Sequence, residues 1–157
     1  MTESLQKQLK KKHPFELPQE EVNLNIQRTY GVLMGPVRKL LTEHKLSAPL
    51  YNMLRILRGV GADGLPCSQI GERMVTREPD VTRLVDRLLK AGWVHRERSA
   101  EDRRVVSVKL TASGKKLVNK LDEPMMNLHR ETLGHLTKAE MKELNRLLIK
   151  ARDAVDG

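Results

Sequence analysis

The sequence is poor in cysteine, poor in aromatic residues and without a long hydrophobic run. Its single cysteine, Cys67, cannot form an intramolecular disulfide, which fits a reducing compartment and excludes a disulfide-built scaffold. Phe15, Tyr30, Tyr51 and Trp93 are the only aromatic side chains. They are too few for the stacking platforms on which single-strand and RNA-recognition modules hold bases. The most apolar stretch, Tyr30 to Val37, is broken by Gly31, Gly35 and Pro36 and is far shorter than a bilayer requires. Lys10, Lys11 and Lys12 mimic the basic start of a signal peptide, but His13, Pro14, Phe15 and Glu16 stand where its apolar run is needed. The expectation is a cytoplasmic protein with no membrane partner. A glycine-rich phosphate loop, a nucleophile elbow and an HExxH motif are all missing. His13, His44, His95, His129 and His135 include no pair four residues apart, and no second cysteine exists to build a thiolate site. No catalysis, no metal and no other cofactor are expected.

What is present points toward a polyanion. The 157 residues allow one domain, or one domain with a short arm, and 39% hydrophobic content can fill a core. Twenty-nine Lys and Arg against twenty Asp and Glu leave a net charge of +9. Nucleic acid is the first partner such a balance suggests and an anionic membrane the second. Given the scarcity of aromatics, duplex DNA fits best.

Residues 1–21 carry few apolar side chains and two prolines, and read as a loosely ordered arm, with a short helix at its start as one option. From Val22 the pattern turns helical, with Val22, Ile26, Leu33, Val37 and Leu40 near one stripe and Gly35-Pro36 expected to bend or interrupt it. Ser47 suits the N-cap of a second helix carrying Leu50, Met53, Leu54 and Leu57. A third, short helix is expected from Pro66 to about Met74, with Cys67 on its inner face as an inert thiol. The redox alternative for Cys67 rests only on its place at a helix N-terminus. A fourth helix has Pro79 at its first position, Val81, Leu84, Val85 and Leu88 inward, and Gly92 as its stop. Two strands follow, Trp93 to Arg98 and Val105 to Leu110, with Val106, Val108 and Leu110 facing inward. Thr111 then caps a long helix that Pro124 should kink. Thr137 and Glu140 have the spacing of a capping box for the last helix.

Two short helices and a tight turn, followed by a hairpin with a basic tip, form the order of a winged helix-turn-helix. With the apolar stripe of the fourth helix buried, Asp80, Arg83, Arg87 and Lys90 share the opposite face. Arginines on such a face can chelate guanine edges or phosphates in a major groove. The competing reading is a solvated face, with Asp86 paired to Arg83 or Lys90 inside the helix. On the hairpin, Arg96 and Arg98 leave the first strand on one side, and Arg103 and Arg104 return at the loop. One of the latter pair is expected to be held by Asp102, leaving the other for DNA. Residues 66–111 hold ten basic and seven acidic side chains, a net of only +3, so what matters is which face the cations occupy.

The run Asp102-Arg103-Arg104, then Leu110-Thr111 and Gly114, resembles the DxR…LTxxG signature of MarR-family transcriptional regulators. Val81 to Leu88 followed by Gly92-Trp93-Val94 is similar to that family's recognition helix leading into its wing, and Ser68-Gln69-Ile70 to the start of the preceding helix. The resemblance implies a mainly α fold with a small β-hairpin wing, a winged helix-turn-helix flanked by N- and C-terminal dimerisation helices. The expected division is a flexible arm at 1–21, a first dimerisation helix at 22–46, the DNA-binding domain at 47–111 and C-terminal dimerisation helices at 112–157. Terminal apolar helices lacking a partner in the central domain independently call for another surface. The implied function is a homodimeric repressor reading a palindrome in double-stranded DNA. The residues expected at DNA are Ser68, Gln69, Thr76, Arg77, Asp80, Thr82, Arg83, Arg87, Arg98, Arg103 and Arg104, with Asp102 structuring the wing. The resemblance also implies release by a small aromatic or phenolic effector, for which Tyr30, Arg38, His44 and Tyr51 are the candidate ligand residues. The rivals are a nonspecific architectural DNA-binding protein and a helical protein–protein adaptor.

Overall fold

The structure is a computed structural model and describes residues 3–98 and 105–155. The chain divides into two compact units, Met1–Ala48 and Pro49–Gly157.

The first unit holds a one-turn helix, α1 (Leu5–Gln8), and a long helix, α2 (Pro18–Glu43). Helix α2 begins four residues earlier than the apolar stripe suggests, because Pro18 occupies its first turn, where a missing amide and a fixed φ cost nothing. Gly35-Pro36 does not interrupt it. Pro36 sits inside the helix, withholding one amide from the Val32 carbonyl, and the turns on either side carry the helix through. Beside that gap the Arg38 guanidinium donates to the carbonyls of Met34 and Gly31, at 3.3 and 3.4 Å. The helix ends in a Schellman turn: Lys45 adopts φ 57°, its amide reaches the Thr42 carbonyl at 2.9 Å, and Leu46 N–H reaches Leu41 at 2.9 Å. Leu41 and Leu46 are both buried.

In the second unit, α3 (Ala48–Val60) starts directly after Ser47 and buries Leu50, Tyr51, Met53, Leu54 and Leu57. A single 3₁₀ turn, Gly61–Asp63, leads to Leu65, which pairs with Val108 through two backbone hydrogen bonds of 3.1 and 2.8 Å. Gly64 makes that approach possible. It has φ 67°, and a Cβ there would collide with the Val108 carbonyl and the Lys109 side chain. Helix α4 (Cys67–Glu72) is shorter than the sequence suggests, and Pro66 is its N-cap residue. Cys67 is half-buried. Helix α5 (Val81–Lys90) buries Val85 and Leu88. Pro79 is not its first residue: Asp80 caps it, and Pro79 precedes the cap.

Strands β1 (Val94–Arg98) and β2 (Val106–Leu110) pair antiparallel, with Val94 opposite Leu110 and Arg98 opposite Val106. Inward alternation holds for Val108, which is fully buried, and fails for Val106, which is 38% exposed at the outer end of the pair. Helix α6 (Ala112–Leu133) runs through Pro124 without a break and buries Val118, Leu121 and Met125. After Gly134 and the Thr137–Glu140 capping box comes α7 (Lys138–Asp153), which buries no residue. Arg58 of α3 clasps Asp122 of α6 with two bonds, 2.6 and 2.8 Å, and also donates to Asn119 at 3.0 Å. The guanidinium holds the Asp122 carboxyl below its usual range. Among the described residues, no helix is long and apolar enough to cross a membrane.

The start of α6 is a junction. Thr111 Oγ1 accepts from Gly114 N–H at 3.1 Å and donates to the Gly92 carbonyl at 2.7 Å. Ser113 Oγ donates to the same carbonyl at 2.9 Å, and Thr111 N–H reaches the Trp93 carbonyl at 3.1 Å. Gly114 is buried against Trp93, where a Cβ would run into the Trp93 carbonyl oxygen. The glycine of the signature is therefore required by a backbone-to-backbone approach, not by its φ. Gly114→Ala is expected to destabilise the protein by about 1–3 kcal/mol or more, read by urea denaturation. Unchanged stability would show that the approach is not tight.

Candidate nucleic-acid interface

The exposed side of α5 is built from a cap and a turn. Asp80 Oδ1 accepts from Arg83 N–H at 2.9 Å, so its carboxylate is engaged at the helix N-terminus, where a negative charge also suits the dipole. With Val85 and Leu88 buried, Thr82, Arg83, Arg87 and Lys90 are exposed. Among the described residues, Arg83, Arg87 and Lys90 take part in no ion pair. Asp86 pairs with neither Arg83 nor Lys90. It reaches across to Arg96 of β1 at 2.8 Å, which ties the hairpin to α5. An open concavity of about 400 Å³ lies at the N-terminal end of the helix, lined by Glu78, Pro79, Asp80, Arg83, Leu84 and Arg87.

The turn before α5 is fixed by Asn52 of α3, whose side-chain oxygen accepts from Val75 N–H at 2.8 Å. Thr76 and Arg77 are exposed in this turn, and the Thr76 hydroxyl donates to Glu78 at 3.3 Å. Ser68 and Gln69 are exposed on α4. The structure thus brings the helix-turn-helix residues into one continuous stretch, from α4 through the turn into α5. On the hairpin, Glu97 is bonded to Lys109 at 3.0 Å, a diagonal cross-strand pair, and His95, opposite Lys109 in the register, comes within 3.7 Å of the same carboxylate oxygen. Lys109 holds the Glu97 carboxyl below its ordinary range. Arg98 is exposed at the end of β1 and, among the described residues, unpaired. Asp102, Arg103 and Arg104, expected at the wing tip, lie outside the described residues.

The four candidate ligand residues are divided between the units. Tyr30 and Arg38 are exposed on α2, with Arg38 turned onto its own helix, and His44 is the C-cap of α2. Tyr51 belongs to the second unit and is 7% exposed. Its hydroxyl is buried beside the Arg55 side chain; burial raises its pKa, and Arg55 opposes that rise through its charge and a side-chain hydrogen bond. Sequence reasoning missed Asn52, the Asp86–Arg96 tie and the Glu97–Lys109 pair. Each joins residues on different elements, and no helical or strand spacing signals such a contact.

A helix-turn-helix with a capped, cationic second helix, tied to a two-stranded hairpin that also offers an arginine, defines the winged-helix class of DNA-binding proteins. The family model described as "MarR family" matches residues 46–106, a stretch that runs from the start of α3 into β2. A solved MarR transcription factor from Planctomyces limnophilus is 41% identical, with 86% of this chain and 98% of that one covered and a TM-score of 0.65. The HTH-type transcriptional regulator PecS of Dickeya dadantii is 33% identical over 70% of this chain and 67% of its own length. BpsR of Bordetella bronchiseptica, whose DNA binding is regulated by 6-hydroxynicotinic acid, shares the fold at a TM-score of 0.77 and 24% identity, covering 90% of this chain and 99% of that one. The chain belongs to the MarR family, and so is a DNA-binding transcriptional regulator rather than an enzyme.

The capping role of Asp80 separates from any role at DNA by substitution. Asp80→Ala should cost about 1 kcal/mol of folding stability, and Asp80→Asn, which keeps the acceptor, much less. Equal losses in thermal or denaturant melts would remove the cap from the account.

Proposed function

We propose that this regulator is a cytoplasmic repressor that binds a two-fold symmetric site in duplex DNA as a homodimer. The observation that carries the reading is the sorting of charge on α5. Asp80 and Asp86 are engaged by a backbone amide and by Arg96, while Arg83, Arg87 and Lys90 stay exposed. Arg83 and Arg87 would meet base edges or phosphates in the major groove, supported by Ser68, Gln69, Thr76, Arg77 and Thr82 around the turn. Asp80 stands beside them as the cap. Arg98, with Arg103 or Arg104, would supply phosphate or minor-groove contacts from the wing, and Asp102 would hold its tip.

Support for the homodimer comes from unburied apolar surface. Helix α7 exposes Leu144, Leu147 and Ile149, and α2 exposes Val22, Ile26, Tyr30 and Val32, each about two-fifths or more open. Such faces ask for a second copy. The division into arm, dimerisation helices and reader belongs to the same proposal. Release from DNA by a small aromatic or phenolic acid is its regulatory side, by analogy with BpsR. Of Tyr30, Arg38, His44 and Tyr51, Tyr51 is the one whose side chain is buried, its hydroxyl lying beside Arg55. No observation favours the adaptor or the architectural reading over this one.

Arg83→Ala should weaken binding to the preferred duplex by about 1–3 kcal/mol while leaving the melting temperature nearly unchanged. Undiminished affinity in fluorescence anisotropy would remove α5 as the reader.

A further inference from the structure

The reader is not the densest cluster of positive charge in this chain. Lys7, Lys10, Lys11 and Lys12 fall within six residues, and no acidic residue lies between Glu3 and Glu16. This segment has a definite structure. Leu5 is buried at 4% exposure, and Arg28 of α2 donates to the Gln8 side chain at 3.1 Å, which ties α1 to the long helix of its own unit. The chain leaves α1 through a Schellman turn. Lys11 N–H reaches the Gln6 carbonyl at 3.0 Å, Lys10 N–H reaches Lys7 at 2.9 Å, and Lys10 itself has φ 52°.

Glycine is the residue this position prefers, since an L side chain in the left-handed region is strained. A lysine here is locally unfavourable. Helix-dipole compensation does not account for it, because a four-residue helix has almost no macrodipole to satisfy. Lys11 has a structural role, with its ammonium 4.9 Å from the Phe15 ring centroid and bonded to the Pro14 carbonyl at 3.1 Å. Lys7, Lys10 and Lys12 are exposed and, among the described residues, have no anionic partner.

We propose that Lys7, Lys10 and Lys12, displayed by α1 and its Schellman turn, form a second phosphate-binding surface for duplex DNA, separate from the winged helix. The inference rests on the regulator's binding of DNA, and it adds affinity without sequence preference, because ammonium groups on phosphates read charge and not bases.

The test is the salt dependence of binding to a labelled random-sequence duplex, measured by anisotropy for the full chain and for Lys7→Ala, Lys10→Gly and Lys12→Ala, singly and together. Lys10→Gly is the informative single change: it relieves the strained turn, so its melting temperature should stay the same or rise while affinity falls. The triple variant should bind more weakly at every salt concentration. Its slope of log K against log salt should be shallower by about 0.9 for each phosphate that the substituted lysines no longer neutralise. Its ratio of affinities for preferred and random duplex should match that of the unsubstituted chain. Unaltered slope and affinity in the triple variant would overturn the proposal and leave the lysines as a solvated surface. The same DNA result, together with lysine-dependent binding to vesicles containing an anionic phospholipid, would overturn it in favour of a membrane surface. Arg83→Ala measured in parallel keeps the two sites distinguishable: if it changes nothing while the lysine variants weaken binding, the reader assignment fails and the second surface stands.

Discussion

The Gly92 carbonyl accepts from both Thr111 Oγ1 and Ser113 Oγ, one residue before Trp93, whose own carbonyl takes the Thr111 amide and covers Gly114. Four elements end or begin within a few residues of this point: α5, β1, β2 and α6. The direction in which α5 leaves the domain, and the direction in which the hairpin departs, are set relative to α6 by this small group of bonds. None of them is strong alone, each contributing about 1 kcal/mol, but they satisfy backbone groups that packing would otherwise bury unpaired. The LTxxG spacing is the sequence expression of this junction: a hydroxyl to cap and bridge, and a glycine to let the two backbones touch. Leu65 adds a second attachment from the other side by pairing with Val108, so the hairpin is held by the core as well as by the turn.

Electrostatics in this domain sorts charge more than it stabilises the fold. Exposed pairs such as Asp86–Arg96 and Glu97–Lys109 add little to stability, because solvent screens them. Their consequence is positional. Asp80, Asp86 and Glu97 are each occupied by a neighbour that is itself structural, which leaves Arg83, Arg87, Lys90 and Arg98 without an ion-pair partner among the described residues. A segment with a modest net charge thereby acquires a strongly cationic face, and the tie from Asp86 to Arg96 fixes the hairpin against the helix that carries that face.

Much of this was legible because its signals are local. The caps at Thr111 and Thr137, the apolar stripe of α5 and the two-strand hairpin all follow from spacing over a few residues, and so did the exposure of Arg83 and Arg87. The misreadings share one cause, which is that a local signal was outweighed by context. Pro36 does not interrupt α2, because a long helix with many remaining bonds tolerates one missing amide. Pro18 starts α2 instead of lying in an arm, and Asp80 displaces Pro79 from the start of α5. The partner of Asp86 and the buried state of Tyr51 depend on how elements pack, about which a single sequence is silent. Val106 alternates correctly in sequence and is still exposed, because the hairpin extends beyond the core that would cover it.

The central claim is that this chain reads duplex DNA sequence through α5. Repeated enrichment of bound duplexes from a random pool at near-physiological salt tests it most directly. The account predicts convergence on a short two-fold symmetric sequence with half-sites about one helical turn apart. Tight binding that never converges, or no binding even at low salt, would contradict it.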